Sequence, residues 1–144
     1  MNIGIGLWCL QSTATSPRSF GQAYQDLTGD AQLAEANGIH SLWLSEHHGY
    51  YDGYCPALLP AASAALAATQ NIHIGTGVLL LPLHEPQRVA NAANLLNERS
   101  QNRFHLGLGM GYRPIEYEIK QQNISQRLQL MNAGLDELKA HTTA

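Results

Sequence analysis

At 144 residues, with 44% hydrophobic and 13% charged side chains and a formal net charge of −3, the chain has the composition of one globular domain over residues 1–144. That balance excludes a disordered segment and argues against nucleic acid or an anionic membrane as a partner. The two cysteines, Cys9 and Cys55, form neither a CxxC pair nor a zinc spacing, residues 1–8 lack the basic start and apolar core of a signal peptide, and no apolar run nears the roughly 18–20 residues of a membrane span; together these point to free thiols in a reducing cytoplasm.

In chain order, residues 3–8 predict a first strand, followed by a Ser, Thr and Pro-rich loop over 11–18. Tyr24, Leu27, Ala31 and Ala34 fall at helical spacing, and Gly38 stands where a helix C-terminal glycine belongs. Residues 41–46 read as a second strand and 49–56 as a Tyr and Gly-rich loop. The Ala and Leu-rich stretch 58–69 predicts a buried helix with Pro60 in its first turn, where a missing N–H is tolerated. Residues 72–81 predict the third strand. Pro86 opens a third helix running to about residue 97, with Val89, Ala92, Ala93 and Leu96 inward. Residues 104–108 predict the fourth strand, leading into Gly107, Gly109 and Gly111, and 124–140 a last helix with Leu128, Met131, Leu135 and Leu138 on its apolar face.

Strand and helix therefore alternate four times, which implies a parallel sheet with right-handed crossovers. Periodicity alone leaves open a doubly wound sheet or part of a (β/α)₈ barrel. The glycines Gly107, Gly109 and Gly111 run directly into Tyr112-Arg113-Pro114 and so lack the G-x-G-x-x-G spacing of a dinucleotide fold.

Four segments in order resemble the luciferase-like flavin monooxygenases. They are Ile3-Gly4-Ile5-Gly6-Leu7, then Ser41-Leu42-Trp43-Leu44-Ser45-Glu46-His47-His48. Next come Ile74-Gly75-Thr76-Gly77-Val78-Leu79-Leu80-Leu81-Pro82 with His84-Glu85-Pro86-Gln87-Arg88, and last Ser100 with Arg103-Phe104 and Leu106-Gly107-Leu108-Gly109. The resemblance covers about residues 1–118 and implies an α/β fold: a partial TIM (β/α)₈ barrel of about four βα units, a half barrel with strand order 1-2-3-4. The chain departs from the family pattern before strand four, where Gln101 and Asn102 replace two glycines and Asn97 an aspartate.

The resemblance also implies a site at the strand C-termini. His47 is the residue it assigns to acid–base work beside a flavin, with Glu46 orienting it or simply lining the barrel. Thr76, Gly77 and Val78 would meet the flavin ring, and Gly77–Val78 matches a bond that is a non-proline cis peptide in some members. Gly109 and Arg113 would face the flavin phosphate. Trp8 and Cys9 close strand one, and Tyr50, Tyr51 and Tyr54 could line an apolar pocket or simply pin their loop. A metal is not expected: adjacent His47 and His48 point to opposite faces, and no further ligand has zinc spacing. No role is read into His40, His73, His105 or His141.

The expected cofactor is FMN, reduced and reacting with O₂, with the deazaflavin F420 as the alternative, and the expected substrate a small organic molecule. Half a barrel leaves an open inner face, taken to carry residues such as Ile5, Trp43, Ile74 and Leu106 or their strand neighbours, and two open edges. These predict self-association or a complementary half-barrel. The competing expectations are a non-catalytic flavin-binding or assembly module and a truncated inactive homologue.

Overall fold

The computed structural model describes residues 1–142 apart from 8–10, 52 and 53; Trp8 and Cys9, expected at the site, lie outside the described residues. Four strands, β1 (Gly4–Leu7), β2 (Ser41–Leu44), β3 (His73–Thr76) and β5 (Phe104–His105), form a parallel sheet in the order β1-β2-β3-β5. Short strands β4 (Leu79–Leu80) and β6 (Leu108–Gly109) continue β3 and β5 as a second parallel pair. The helices are α1 (Phe20–Ala36), α2 (Leu58–Ala68), α3 (Pro86–Arg99), α4 (Pro114–Ile119) and α5 (Arg127–His141). Parallel strands taken in chain order, each followed by a helix, are the expected half of a (β/α)₈ barrel.

Strand alternation divides the chemistry between the two sheet faces. Leu42, Leu44, Ile74 and Phe104 point to the helix layer and share one core with Leu27 and Ala31 of α1, Ala62 and Ala65 of α2, and Val89 and Ala90 of α3. Small alanines on α1 and α2 let the helices lie close to the sheet. Burying each leucine or isoleucine here contributes about 1.5–3 kcal/mol. Ile5 and Ile74, expected on the inner face, belong to this helix-side core instead, because they are in register with Leu42 and not with Trp43.

The inner face is built of glycine, histidine and one indole. Trp43 lies over Gly75, where an added Cβ would collide with its ring, and its Nε1 donates to Ser41 Oγ at 3.0 Å. His73 of β3 and His105 of β5 follow, with His40 just before β2; ring centroids are 4.8 Å apart for His40 and His73 and 4.9 Å for His73 and His105, with a 2.8 Å contact between His73 Nδ1 and His105 Nε2.

Several boundaries differ from those the sequence predicts. The third and fourth strands, expected as continuous runs, are each split, and the interruptions face one another. Thr76 Oγ1 donates to Gly107 O and accepts from Gly107 N at 2.7 and 2.8 Å, standing in for ladder bonds where the strands part. The Gly77–Val78 bond between β3 and β4 is cis. Strand β2 ends at Leu44, two residues early, although Gly77 N still donates to Leu44 O at 2.7 Å. Helix α4 has no counterpart in the sequence pattern, where Pro114 stands in a loop; it is in fact the first residue of a helix. On α5, Leu128 is exposed; Gly134 and Leu138 are buried, Gly134 because α5 approaches Leu81 and Pro86 there. On α3, Ala90 is buried in place of Ala92.

The departures before strand four leave the backbone as the glycines would have it. Gln101 and Asn102 both adopt left-handed conformations, φ 57° and 65°. Asn102 Oδ1 accepts from Asn97 Nδ2 at 3.0 Å, which uses both replaced positions to brace the turn. Arg103 then donates to Ile72 O, Leu66 O and Thr69 O at 3.0–3.2 Å, tying the start of β5 to the end of α2. An L-residue in the left-handed region costs about 1–2 kcal/mol, and glycine's extra unfolded-state entropy offsets part of that. Gln101 makes no side-chain bond to forfeit among the described residues. Gln101→Gly is therefore expected to raise stability by about 0.5–1 kcal/mol in urea unfolding; a loss of stability would contradict this account of the turn.

Candidate functional site

The C-terminal ends of the strands carry the site. Beyond β2, Ser45 Oγ donates to Gly77 O at 2.8 Å and Glu46 N to Val78 O at 3.3 Å, so the strand-two exit is laid against the β3–β4 break. This contact builds one cavity of about 350 Å³, whose lining includes Glu46, His47, Gly77, Val78, Gly109, Gly111 and Glu116. A larger groove of about 570 Å³ between α2 and α3 lies on the outer helix layer, lined by residues such as Leu66, Leu95 and Leu96. Arg99 is the one ionisable group lining it, so it lacks the convergent polar groups of a reactive site.

Glu46 is wholly buried. Its Oε1 accepts from His48 Nε2 and His84 Nε2, each at 2.6 Å, and its Oε2 accepts from Leu80 N at 2.7 Å. Burial raises the carboxyl's pKa, but hydrogen bonds from His48 and His84, the His84 charge and the Leu80 amide outweigh it, and hold it down at about 2. The same cluster corrects the expectation that no third ligand accompanies the adjacent histidines. Glu46, His48 and His84 bring one ligand atom each within 4.8 Å of one another, with His84 arriving from the turn after β4. Both imidazoles spend Nε2 as a donor to one carboxylate oxygen. That locks the cluster by hydrogen bonds and satisfies Glu46 fully.

His47 turns the other way, as the alternation predicts. Its ring stacks on Tyr54 at 4.5 Å and meets Tyr50 edge-on at 5.6 Å, and its side chain is 14% exposed. Its Nδ1 lies 3.1 Å from Glu116 Oε1, while Nε2 makes no hydrogen bond among the described residues. Tyr50 and Tyr54 therefore pack against the histidine, a role neither of the two expectations for them named; Tyr51 is exposed.

Glu116 joins the site without any forewarning from the motifs. It sits in the first turn of α4, is 1% exposed, and accepts on Oε1 from His48 N at 3.1 Å as well as facing His47; Arg113 Nη1 stands 3.5 Å away. Its Oε2 is buried without a partner. The available signal is Pro114 two residues before Glu116, which marks a helix start and places an acid in its first turn.

The remaining expected residues divide. Gly77, Val78 and Gly109 share the cavity lining with His47, and Val78 is 37% exposed there. A Cβ on Gly109 would collide with Val78 Cγ2, so that glycine keeps the valine in place. Thr76 is fully buried on the helix side and is not among the lining residues. Arg113 donates to His48 O at 3.0 Å and lies over the Tyr50 ring at 4.0 Å, bracing the strand-two exit from behind. Burial pushes the Cys55 thiol up to about 11, so it is an inert core residue.

A family model for luciferase-like monooxygenases matches residues 1–140. The alkanal monooxygenase alpha chain of the Kryptophanaron alfredi symbiont is 32% identical over 105 residues, 73% of this chain and 29% of that one. Among solved structures, the monooxygenase RslO1 from Streptomyces bottropensis is similar at TM-score 0.87 and 26% identity, over 96% of this chain and 42% of that one. The oxygenating constituent of 3,6-diketocamphane monooxygenase from Pseudomonas putida, in complex with FMN, is similar at TM-score 0.84 and 24% identity, over 94% and 38% of the two chains. The chain thus spans less than half the length of the relatives it matches.

Because the Glu46 carboxyl is held at about 2 in the fold against an ordinary 4.5, its contribution to stability is complete above pH 4.5 and is lost as pH falls toward 2. Glu46→Gln is expected to destabilise the chain by about 3–5 kcal/mol near pH 7, since it unpairs a buried network. The variant should also lose less stability than the parent between pH 5 and 3. Urea unfolding at pH 7, 5 and 3.5 measures both, and parallel pH profiles for the two proteins would disprove the assignment.

Proposed function

Since the chain belongs to the luciferase-like monooxygenase family, we propose that it forms the flavin-binding, strand-one-to-four portion of an oxidoreductase of that family, with FMN as cofactor and a small organic molecule as substrate. The observation that carries this is the single cavity at the strand C-termini shared by His47, Gly77, Val78 and Gly109. That end is where barrel enzymes concentrate their chemistry.

The residues present fit a planar, largely apolar ring. Val78 offers an exposed isopropyl group between two glycines, and neither Gly77 nor Gly109 has a side chain to obstruct approach. When bound in reduced form, the flavin supplies the electrons that activate oxygen. The chain's own residues then do three things in this reading. Val78 and its glycine neighbours support the ring. His47 offers an imidazole nitrogen, Nε2, to accept or return a proton on the reacting molecule. Glu46, through His48, His84 and Leu80, keeps the strand-two exit and the β4 strand in fixed relation. Thr76 contributes by bridging to Gly107, and Arg113 by bracing His48 and Glu116, not by direct contact with the ring.

Completion of the site falls to further βα units, whether from a longer chain, a second copy or a complementary half-barrel. The inner face that such a partner would cover is polar and glycine-rich at Ser41, His73, Gly75 and His105, so apolar burial drives closure less than a leucine-lined face would. Pairing at the free sides of β1 and β5 adds to it.

Titration of FMN fluorescence against the purified chain tests the reading, with F420 run alongside. Sedimentation velocity over the same concentrations reports assembly. Saturable quenching by FMN, weakened at least tenfold in Val78→Asp, is the expected result. Quenching by F420 alone would reassign the cofactor. No saturable binding of either, at concentrations where the chain is fully associated, would overturn the flavin reading.

A further inference from the structure

We propose that Glu116 is the positioning residue for His47: it holds the neutral imidazole as the Nδ1–H tautomer and so leaves the Nε2 lone pair for the cavity. The proposal rests on the reading that His47 does acid–base work there, and it goes beyond that reading by naming the group that sets its proton.

Three observations carry it. First, Glu116 Oε1 lies 3.1 Å from His47 Nδ1 and also accepts from His48 N at 3.1 Å. An oxygen that takes the His48 amide proton is an acceptor, and accepting from the imidazole as well puts the shared proton on Nδ1. Second, the ring cannot turn away. It is stacked on Tyr54 at 4.5 Å and blocked edge-on by Tyr50 at 5.6 Å, with the Arg113 guanidinium over the far side of Tyr50. Third, Glu116 is 1% exposed, and its Oε2 has no hydrogen-bond partner. A buried carboxylate satisfied on one oxygen only is costly, and such a group survives where function holds it. A purely structural acid would have both oxygens engaged, as Glu46 does one residue before His47.

The fold delivers this carboxylate over a separation of 69 residues. Helix α4 has no side-chain cap of its own, and Glu116 reaches out of its first turn toward the strand-two exit. The Tyr117 hydroxyl donates to Met110 O and closes the loop that presents Glu116. Gly111, at φ 72°, lets that loop turn beside the cavity. A fixed carboxylate on one imidazole nitrogen sets the tautomer and orientation of the other, which is the arrangement an acid–base histidine needs.

The test uses the full chain, without flavin, labelled with ¹⁵N at histidine. In the parent, the neutral His47 ring should report Nδ1 as protonated and Nε2 as a bare acceptor. In Glu116→Leu, or in Glu116→Ala if the leucine variant does not fold, that pattern should collapse toward Nε2–H, while circular dichroism stays unchanged. Glu116→Asp, which keeps the carboxylate, should restore part of the parent pattern. A parent already in the Nε2–H form would overturn the proposal. So would a variant in which only the His48 amide shifts and the His47 ring does not, because Glu116 would then serve the backbone alone. Since flavin is not involved, failure here is separate from failure to bind FMN.

Discussion

One buried charge organises the strand C-termini. Glu46 stands two residues past β2 with no access to water, and three donors from three places reach it: His48 from its own strand exit, Leu80 from β4, and His84 from the turn that follows. A carboxylate in such a place is costly unless its oxygens are hydrogen-bonded, and here both are. Its demands therefore fix where β4 lies against the end of β2. Because Glu46 is held on one side of the chain, His47 is turned to the other, toward Tyr54, Glu116 and the cavity. The orientation of His47 follows from a neighbour that never faces the cavity with a free donor or acceptor.

The same division of labour runs through the sheet. Residues of one parity meet alanine-rich helices and form an ordinary apolar core; residues of the other parity build a floor of glycine, indole and imidazole. The first set explains stability and the second leaves space for a bound group. Arg103 shows how a family motif can belong to the first kind. It donates to Leu66, Thr69 and Ile72 carbonyls at the N-terminal side of the sheet, far in role from the cavity.

Much of this is legible in the amino-acid sequence. Strand–helix alternation and the Gly38 and Pro86 signals locate α1, α2 and α3, and the order of motifs tells a half barrel from a doubly wound sheet. His47, Gly77, Val78 and Gly109 follow from the family resemblance and do share a cavity. What escapes is non-local. Nothing in spacing shows that His84 returns to Glu46 across 38 residues, or Glu116 to His47 across 69. Split strands also escape, because the apolar run from Ile72 to Leu81 conceals a switch from ladder bonds to the Thr76 hydroxyl. The replaced glycines mislead in the opposite sense: Gln101 and Asn102 look like a loss of the turn, yet both occupy the left-handed region it requires.

The imidazole row on the inner face has a bearing on when this surface can be covered. His40, His73 and His105 are less than 5 Å apart from ring to ring, and burial together with the neighbouring His105, His40 and Arg103 holds His73 below the usual histidine range. A single proton can be shared across the 2.8 Å contact of His73 and His105; a second must break it. His73 therefore contributes its full share of stability above the ordinary histidine pKa, and that share is lost as pH falls from there through its lowered value. Whatever lies against this wall meets a His73 that burial and its neighbours keep neutral further into acid than an ordinary histidine. The inner wall of this half barrel thus carries a pH-dependent charge at His73 as well as a shape.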